Sequence, residues 1–327
     1  MAAVSASGAP AAETSVRLSL DHAIDGTAAP FLLPLDRGWY KAEGLDVGVV
    51  PGNTAVEPIT RVASGGIEFG LADINALIRY RDSHPKAPVK AVFMVYNRPA
   101  YAVIGRKSRG IATPRDLEGK RVGIPAADPA GMAWPIFVKA NDISARKVTV
   151  ENIGAPVREP MLAAGQIDAV TGQTYTVFID LKDKGVPVND VVVLPMADHG
   201  VVLYGKAVIV NTAFADAHPE SVKGFLRALL TGLRETVAQP ASAIRAVLKR
   251  GDRLRKDVEL ERLDLVIREN ILTPEVKTNG YGGIEPSRFA DAVEQLALAH
   301  RFKGSKPSIS EIFDAAYLPS SAERQME

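Results

Sequence analysis

Several polar side chains in this sequence follow segments that are predicted to be buried strands. Asp21 and His22 come directly after the first such run, Val16 to Leu20, and Asp73 and Asn75 come after the third. Because small molecules bind outside the carboxyl ends of strands in open α/β sheets, these groups predict a ligand site. The alternatives are that Asp73 and Asn75 cap the following helix and that His22 is exposed or also caps a helix.

A second group of candidates lies further along the chain, after another set of predicted strands. Asp128 precedes Pro129, a pattern typical of a helix N-cap followed by proline at the first helical position, so capping is favoured over ligand binding. Trp134, one turn later, either stacks on a ligand ring or fills the core. The segment Gln173 to Tyr175 occupies the position that Asp73 to Asn75 occupies in the first half, and its amide, hydroxyl and ring suit ligand contacts.

A third group flanks the two segments that are predicted to connect the halves of the molecule. Arg98, Tyr101 and Tyr204 are placed to reach a ligand from the hinge, where Arg98 would bind a carboxylate and Tyr101 a planar ring; a surface arginine and packing between lobes are the alternatives. His199 lies beside the second of these segments. The predicted ligand-binding residues are Asp21, His22, Asn53, Thr54, Asp73, Asn75, Asn97, Arg98, Tyr101, Asp128, Trp134, Gln173, Thr174, Tyr175, His199 and Tyr204.

Catalytic and metal-binding patterns are absent from the sequence. There is no Gly-x-Ser-x-Gly or His-Glu-x-x-His motif, and the five histidines form no i,i+4 pair. The chain has no cysteine, which excludes disulfides, thiolate metal sites and cysteine nucleophiles. The segment Gly119-Lys120-Arg121 lacks the first glycine and the hydroxyl residue of a phosphate loop. We therefore predict no catalytic residue, no metal and no cofactor.

The composition describes a near-neutral globular protein. Its 327 residues carry 39 Lys and Arg against 38 Asp and Glu, a net charge of +1 that gives no basic excess for nucleic-acid binding. Hydrophobic residues make up 46%, enough for a sizeable core, and no apolar run approaches the roughly 18 residues of a membrane span. We expect about two domains and no nucleic-acid partner.

The order of predicted elements indicates an α/β protein with two lobes. Strand-like runs alternate with helical patterns, which is the signature of mainly parallel sheets, and the chain after Val210 is almost wholly helical. Residues 1–15 are predicted to be a flexible N-terminus. Residues 16–104 and 206–327 are assigned to a discontinuous first lobe, and 105–205 to an inserted second lobe. A cleft between the lobes would hold a small molecule.

Four segments resemble motifs of the ABC-importer solute-binding proteins for nitrate, sulfonates, taurine and thiamine-precursor pyrimidines. Arg37 to Val47 resembles the pattern G-[YF]-F-x-x-E-G-L-x-V, and Gly66 to Asp73 resembles G-x-x-D-F-G-x-x-D. Asp116 to Gly123 resembles D-L-x-G-K-x-V-G, and Ala164 to Ala169 resembles G-x-[IV]-D-A. The resemblance implies a type II periplasmic binding fold, a small-molecule ligand delivered to an ABC permease in the inner membrane, a monomer, and a periplasmic location.

The sequence departs from this family's patterns at the predicted ligand site. Sulfonate binders place hydroxyls where this chain has Asp128-Pro129-Ala130-Gly131, and a carboxylate there repels an anion. Pyrimidine binders have Trp and Asn where this chain has Leu20-Asp21-His22-Ala23. The related pyrimidine-synthesising enzymes depend on a Cys-rich motif, which this chain lacks. An amphoteric or aromatic small molecule fits these residues best.

Two other functions remain open at this point. An enzyme on the same fold, resembling the chorismate-dehydrating enzymes, needs neither cysteine nor metal. A ligand-sensing domain of a regulator is disfavoured because no DNA-binding segment accompanies it. The Ala-rich start of the chain fits either a cytoplasmic protein or an exported protein whose signal has been removed.

Overall fold

The computed structural model describes residues 13–326, which form ten strands in two sheets. The strands are β1 (Thr14–Ser19), β2 (Leu45–Val50), β3 (Phe69–Asp73), β4 (Val89–Met94), β5 (Tyr101–Arg106), β6 (Arg121–Pro125), β7 (Thr149–Ile153), β8 (Ala169–Gln173), β9 (Val191–Pro195) and β10 (Lys206–Asn211). β1 begins two residues before the predicted start at Val16, and residues 1–12 of the predicted flexible N-terminus lie outside the described residues.

The two sheets share one topology. The first has the order β2-β1-β3-β10-β4 and the second β7-β6-β8-β5-β9. In each sheet the first three strands are parallel, and the fourth is antiparallel to both of its neighbours. The prediction of mainly parallel α/β sheets is therefore confirmed, and the carboxyl ends of the parallel strands define the edge where ligands bind in such folds.

Helices cover the faces of both sheets and form most of the chain after β10. They are α1 (Ala29–Arg37), α2 (Trp39–Ala42), α3 (Glu57–Ala63), α4 (Ile74–Ser83), α5 (Pro129–Met132), α6 (Trp134–Ala140), α7 (Arg158–Ala163), α8 (Thr174–Asp183), α9 (Thr212–Ala217), α10 (Pro219–Ala238), α11 (Pro240–Leu248), α12 (Lys256–Val266), α13 (Pro274–Asn279), α14 (Pro286–Leu296), α15 (Ile309–Ile312) and α16 (Ser321–Arg324). A π-helical turn, Ile267–Ile271, continues α12. The spacing of Ser308 and Glu311 predicts a capping box, which is present and opens α15.

One strand lies across the predicted boundary between the two lobes. The run Tyr101 to Arg106 is β5, which pairs with β8 and β9 in the second sheet. Residue 104, the predicted last residue of the first lobe's N-terminal part, therefore lies inside a strand of the second sheet. β5 is buried through Gly105, so it lacks the alternation of polar and apolar residues that marks a half-exposed strand.

Two crossover segments join the sheets, residues 95–100 and 196–205. Arg288 of α14 clamps them together, since its guanidinium donates to the carbonyl oxygens of Asn97 at 3.0 Å, Val202 at 3.1 Å and Leu203 at 2.9 Å. The same guanidinium lies 3.9 Å over the ring of Tyr204. One helix thereby fixes the spacing of both connections.

Helix α10 packs its apolar stripe into the core of the first sheet. One helical face is predicted to be buried, because its apolar residues recur at i, i+3, i+4 and i+7; these residues, all buried in the structure, are Val222, Phe225, Leu226, Leu229, Leu230 and Leu233. Gly232 allows close approach to α1, because a Cβ atom there would lie 2.2 Å from Cγ of Pro34. The pattern in the sequence thus identified the face, and the glycine sets the distance between the helices.

Candidate functional site

A buried cluster of charged side chains lies at the carboxyl end of β1. The Nζ atom of Lys206, the first residue of β10, is 2.9 Å from Oδ2 of Asp21 and 3.0 Å from Oδ1. Nδ1 of His22 lies 2.6 Å from the same Oδ1 atom. Lys206 and Asp21 are 4% and 8% exposed, so the ion pair is largely removed from water. We call Asp21, His22, Asp25, Thr27 and Lys206 the Asp21 cluster.

The hydrogen bonds of the Asp21 cluster fit a protonated His22. Nε2 of His22 lies 2.7 Å from the Thr27 hydroxyl, which itself donates to Asp25 at 2.6 Å. An imidazolium donates from both ring nitrogens, one to Asp21 and one to Thr27. Burial and the Lys206 charge oppose this cation, but the carboxylates of Asp21 and Asp25 outweigh them and raise the pKa of His22 to about 9.

The pKa values of the two carboxyl groups in the cluster are lowered, which is the opposite of the shift at His22. Burial works against ionisation of Asp21, but Lys206 and His22 hold its pKa well below the usual range. Burial likewise opposes ionisation of Asp25, while His22 and Arg262 lower the pKa of Asp25 to about 2. The cluster therefore carries two carboxylates and two cations at neutral pH.

Two tyrosine rings cover the Lys206 ammonium group. Its Nζ atom is 5.6 Å from the ring centre of Tyr96 and 5.9 Å from that of Tyr175, and the two rings meet edge to face. Tyr96 follows β4 of the first sheet, whereas Tyr175 is the second residue of α8, which follows β8 of the second sheet. Both hydroxyls are buried without a hydrogen-bond partner. A buried hydroxyl without a partner is costly, so each offers a group for a bound molecule.

Arg262 of α12 connects the Asp21 cluster to α8. Its guanidinium is 3.9 Å from Asp25 and 3.1 Å from Glu259, and it donates to the carbonyl oxygen of Tyr175 at 2.9 Å. It also lies 4.0 Å from Asp180 of α8. A single side chain thus joins the loop after β1 to the helix after β8, across the gap between the sheets.

A second polar group lies at the carboxyl ends of the strands of the second sheet. Asp128 accepts a hydrogen bond from the Gly131 amide at 3.1 Å and from the Thr171 hydroxyl at 2.9 Å. Arg158 pairs with Glu159 at 2.6 Å and packs so close to Gly172 that a Cβ atom there would lie 2.8 Å from Nη1. Burial raises the pKa of Asp128 although Arg158 partly opposes the shift. Capping by Asp128, the favoured interpretation, is confirmed.

The structure also brings Asp73, Asn75 and Tyr101 together. Asp73 accepts from the Ala76 amide at 2.9 Å, so it caps α4, and its second oxygen accepts from the Tyr101 hydroxyl. Asn75 donates to the Tyr101 hydroxyl at 3.1 Å and to the Tyr204 carbonyl oxygen at 2.8 Å. The contacts with Tyr101 and Tyr204 join β3 and α4 to β5 and to the second crossover segment.

Other predicted residues are engaged within the crossover segments. Asn97 donates to Glu275 at 2.7 Å and accepts from Arg288 at 2.9 Å. The Tyr204 hydroxyl donates to Glu275 at 2.9 Å. Arg98 forms an ion pair with Asp198 of the second crossover. These partners are all within the protein, so the contacts position the two connections.

The remaining predicted residues make their contacts outside the Asp21 cluster. Trp134 is buried and stacks with Phe137 at 6.0 Å, and the His199 ring meets the other edge of Phe137. Asn53 and Thr54 are exposed in the loop before α3. Gln173 lies at the N-cap of α8 without a side-chain capping bond. Their roles as ligand contacts stay predictions.

Sequence reasoning missed Lys206, Tyr96, Arg158 and Arg262 as members of these polar groups. Lys206 carried a usable signal, since it is a lysine that opens the apolar run Ala207 to Val210. A charged residue beside a buried strand needs a partner. Arg158 and Arg262 lie in helices whose patterns look like ordinary solvent-facing ones, so no signal separated them from other arginines.

Other kinds of site receive no support within residues 13–326. No group of three His, Asp or Glu side chains in this range is arranged to hold a metal ion. None of the helices described is both long and apolar enough to cross a bilayer.

Two sheets of this common order, joined by two crossover segments with polar groups at their facing edges, define the type II periplasmic binding protein fold. The chain belongs to the family described as NMT1/THI5 like, which matches residues 26–243.

Relatives of this chain include both binding proteins and enzymes. It is 27% identical over 249 residues to the riboflavin-binding protein RibY of Chloroflexus aurantiacus, covering 74% of this chain and 69% of that protein. It is 27% identical over 290 residues to a formylaminopyrimidine-binding protein of Halalkalibacterium halodurans, covering 86% and 84%. It is 26% identical over 225 residues to a 4-amino-5-hydroxymethyl-2-methylpyrimidine phosphate synthase of Aspergillus parasiticus, covering 66% and 64%.

Solved structures with the same fold include proteins of ABC import systems. The periplasmic aliphatic sulphonate binding protein SsuA of Escherichia coli superposes with a TM-score of 0.71 at 13% identity, covering 96% of this chain and 95% of that one. The periplasmic nitrate-binding protein NrtA of Synechocystis has a TM-score of 0.66 at 12% identity, covering 93% and 87%. At these identities the likeness concerns the fold, and the relatives in sequence support a binding role.

Proposed function

We propose that this protein is the solute-binding component of an ABC importer, located outside the cytoplasm. It captures a planar nitrogen heterocycle between the two sheets and delivers it to a membrane permease as a monomer. The observation that carries this proposal is the pair Tyr96 and Tyr175, which follow β4 of the first sheet and β8 of the second and both present unpartnered hydroxyls beside Lys206.

The chemistry of the polar groups favours a heterocycle with N–H donors over an inorganic or sulfonate anion. Asp21, Asp25, Asp73 and Asp128 place four carboxyl groups at the facing edges of the sheets, and the Lys206 and His22 cations are already paired with Asp21 and Asp25, so the cluster leaves no unpaired cation for an anion. Amine and ring N–H groups suit carboxylate acceptors, and aromatic rings suit planar ligands. Relatives named for riboflavin and for formylaminopyrimidine bind molecules of this kind.

Ligand binding at this position requires the sheets to move apart and close again. Tyr175 is 2% exposed, and Arg262 ties its carbonyl oxygen to the cluster, so a ligand reaches these groups only when the contacts across the gap open. We therefore expect hinge motion at the two crossover segments, as in other two-lobed binding proteins. Small-angle scattering at ligand saturation should give a radius of gyration below that of the ligand-free protein in solution.

The test is titration calorimetry with riboflavin, formylaminopyrimidine and the sulfonate MOPS. We expect saturable binding of a heterocycle and none of MOPS. Tyr175→Phe removes only a hydroxyl and should weaken binding about 2- to 10-fold, the effect of one neutral hydrogen bond. Tyr40→Phe is the matched control, because its hydroxyl is also buried without a partner but its ring stacks on Phe225 inside the first lobe's core. Equal effects of the two substitutions, or binding of MOPS alone, would contradict the proposal.

An enzyme on this fold is the second candidate, because several relatives are named as pyrimidine phosphate synthases. Native mass spectrometry of the purified protein, before and after denaturation, separates the two. Release of an unchanged molecule that rebinds supports transport. Conversion of a bound pyrimidine or small carboxylate to a new mass on incubation supports catalysis instead.

A further inference from the structure

A cavity of about 200 Å³ lies beside the first crossover segment, and nothing in the proposed function uses it. Its apolar wall is formed by Phe178 of α8, Val193 of β9 and Leu265 of α12. Arg98 of the crossover segment completes another side. Pockets for drug-sized ligands begin at about 300 Å³, so this cavity suits a smaller molecule of one ring. We call it the crossover cavity.

Three buried polar atoms in the lining of the crossover cavity have no hydrogen-bond partner, and one of them, Nη2 of Arg98, has its charge paired with Asp198. The other two have no partner of any kind: they are the Thr174 hydroxyl and the Oδ1 atom of Asn270, and the two residues are 8% and 1% exposed. Buried polar atoms are normally hydrogen-bonded, and two orphans in one apolar cavity point to a molecule that pairs with both. Oδ1 accepts a hydrogen bond, whereas the hydroxyl either donates or accepts one.

The orientation of Asn270 is fixed by its other contacts. Its side-chain Nδ2 atom donates to the backbone carbonyl oxygen of Arg98 at 3.1 Å. The backbone carbonyl oxygen of Asn270 accepts from the backbone amide of Arg98 at 3.3 Å. A carbonyl oxygen only accepts, so Nδ2 must face Arg98 and Oδ1 must face away. Asn270 belongs to the π-helical turn Ile267–Ile271, and such turns occur frequently at functional sites.

The charged groups at the rim are already paired within the protein. Arg98 forms an ion pair with Asp198, and Glu269 pairs with Arg268 at 2.9 Å. Neither is left to balance a charged ligand, and an unpaired charge is costly to bury in an apolar cavity. The occupant that fits is therefore neutral.

We propose that the crossover cavity is a second binding site, for a small neutral lactam or cyclic amide with one planar ring. The ring N–H donates to Oδ1 of Asn270, and the carbonyl oxygen accepts from the Thr174 hydroxyl. The ring contacts Phe178, Val193 and Leu265. The site shares no residue with the Asp21 cluster, so it stands whether or not that cluster binds a heterocycle.

The test uses 2-pyridone as the probe, with 1-methyl-2-pyridone as the matched molecule that lacks the N–H donor. Ligand-observed NMR and thermal shift should show saturable binding of 2-pyridone. The methylated probe should bind at least about tenfold more weakly than 2-pyridone, because it leaves Oδ1 of Asn270 without a hydrogen-bond donor. Equal binding of the two probes, or no saturable binding of 2-pyridone because water alone fills the cavity, would overturn the proposal.

Two variants locate the binding. Thr174→Val replaces an unpartnered hydroxyl by a methyl group of similar size and should weaken 2-pyridone binding about 2- to 10-fold without lowering the melting temperature. Val193→Phe should fill the cavity and abolish binding, whereas Val191→Phe, on the same face of β9 but outside the lining, should not. Tyr175→Phe should also leave 2-pyridone binding unchanged, which separates this site from the proposed function. Retained 2-pyridone binding in a folded Val193→Phe protein would place the probe elsewhere and contradict the assignment.

Discussion

Protonation of His22 should control the stability of the protein on the alkaline side of neutrality. Its imidazolium donates to Asp21 and Thr27 and lies 3.3 Å from Asp25, and its pKa is raised from 6.5 to about 9. A group whose pKa is higher in the folded state contributes stability that is fully present below its unfolded pKa. That contribution is lost as the pH rises through the folded pKa.

The size of the effect follows from the shift. One pKa unit corresponds to about 1.4 kcal/mol, so the shift from 6.5 to about 9 is worth about 3 kcal/mol of unfolding free energy. Nearly all of it should disappear between about pH 6 and about pH 9.5. Lys206 does not interfere, because its own pKa is raised further from 10.5: burial opposes this rise, and Asp21 outweighs it.

The assay is urea unfolding across this pH range for the wild type, His22→Gln and His84→Gln. Trp39 and Trp134 report on the first and second lobes by fluorescence. The wild type and His84→Gln, which changes an exposed histidine, should lose about 3 kcal/mol, whereas His22→Gln should be less stable at pH 6 and nearly flat above it. An equal slope in His22→Gln, or a flat wild-type curve, would refute the assigned charge state of the cluster.

Two further predictions concern the framework that positions the site. Arg288→Lys should lower the unfolding free energy by about 3 kcal/mol in urea melts. A lysine cannot reproduce the planar guanidinium that donates to the Asn97 side chain and to three carbonyl oxygens. An unchanged unfolding midpoint would show that the crossover segments keep their spacing without Arg288. Gly232→Ala should lower the unfolding free energy by about 1–3 kcal/mol, because the new Cβ atom would lie 2.2 Å from Pro34. Gly224→Ala should lower it less, because no atom would lie nearer than 3.2 Å to its Cβ. A lower melting temperature for Gly224→Ala than for Gly232→Ala would contradict the packing argument.

The repeating elements were predictable because their signals are local. The apolar stripe of α10, the capping box of α15 and the strand runs all depend on residues a few positions apart. The exception is β5, because Tyr101–Arg106 follows directly after a short connection and its place is decided by pairing with β8 and β9. Pairing partners far apart in sequence leave no local pattern.

The candidate site was predictable only in part, for the same reason. Asp21 and His22 were found because they follow a recognisable strand. Their partner Lys206 lies 185 positions away from Asp21. Its place before an apolar run indicates that it needs a partner, but nothing near either residue identifies Asp21 as that partner. Asn97 is predicted from its place after a strand-like run and Tyr204 from its place beside a crossover, but their contacts depend on Arg288, whose helix gives no sign of that contact.

The return of the chain to the first sheet in β10 sets an order for the folding of the newly made chain. The second sheet consists of one continuous stretch, β5 to β9, so it can pair completely once Pro195 has left the ribosome. The first sheet lacks its fourth strand until Lys206 to Asn211 emerge, more than a hundred residues after Met94. β3 and β4 therefore have unpaired edges until β10 has been synthesised. Because the chain between Met94 and Lys206 must be closed into a long loop, the first half forms more slowly than the second. The second sheet is then already formed when the first sheet is completed.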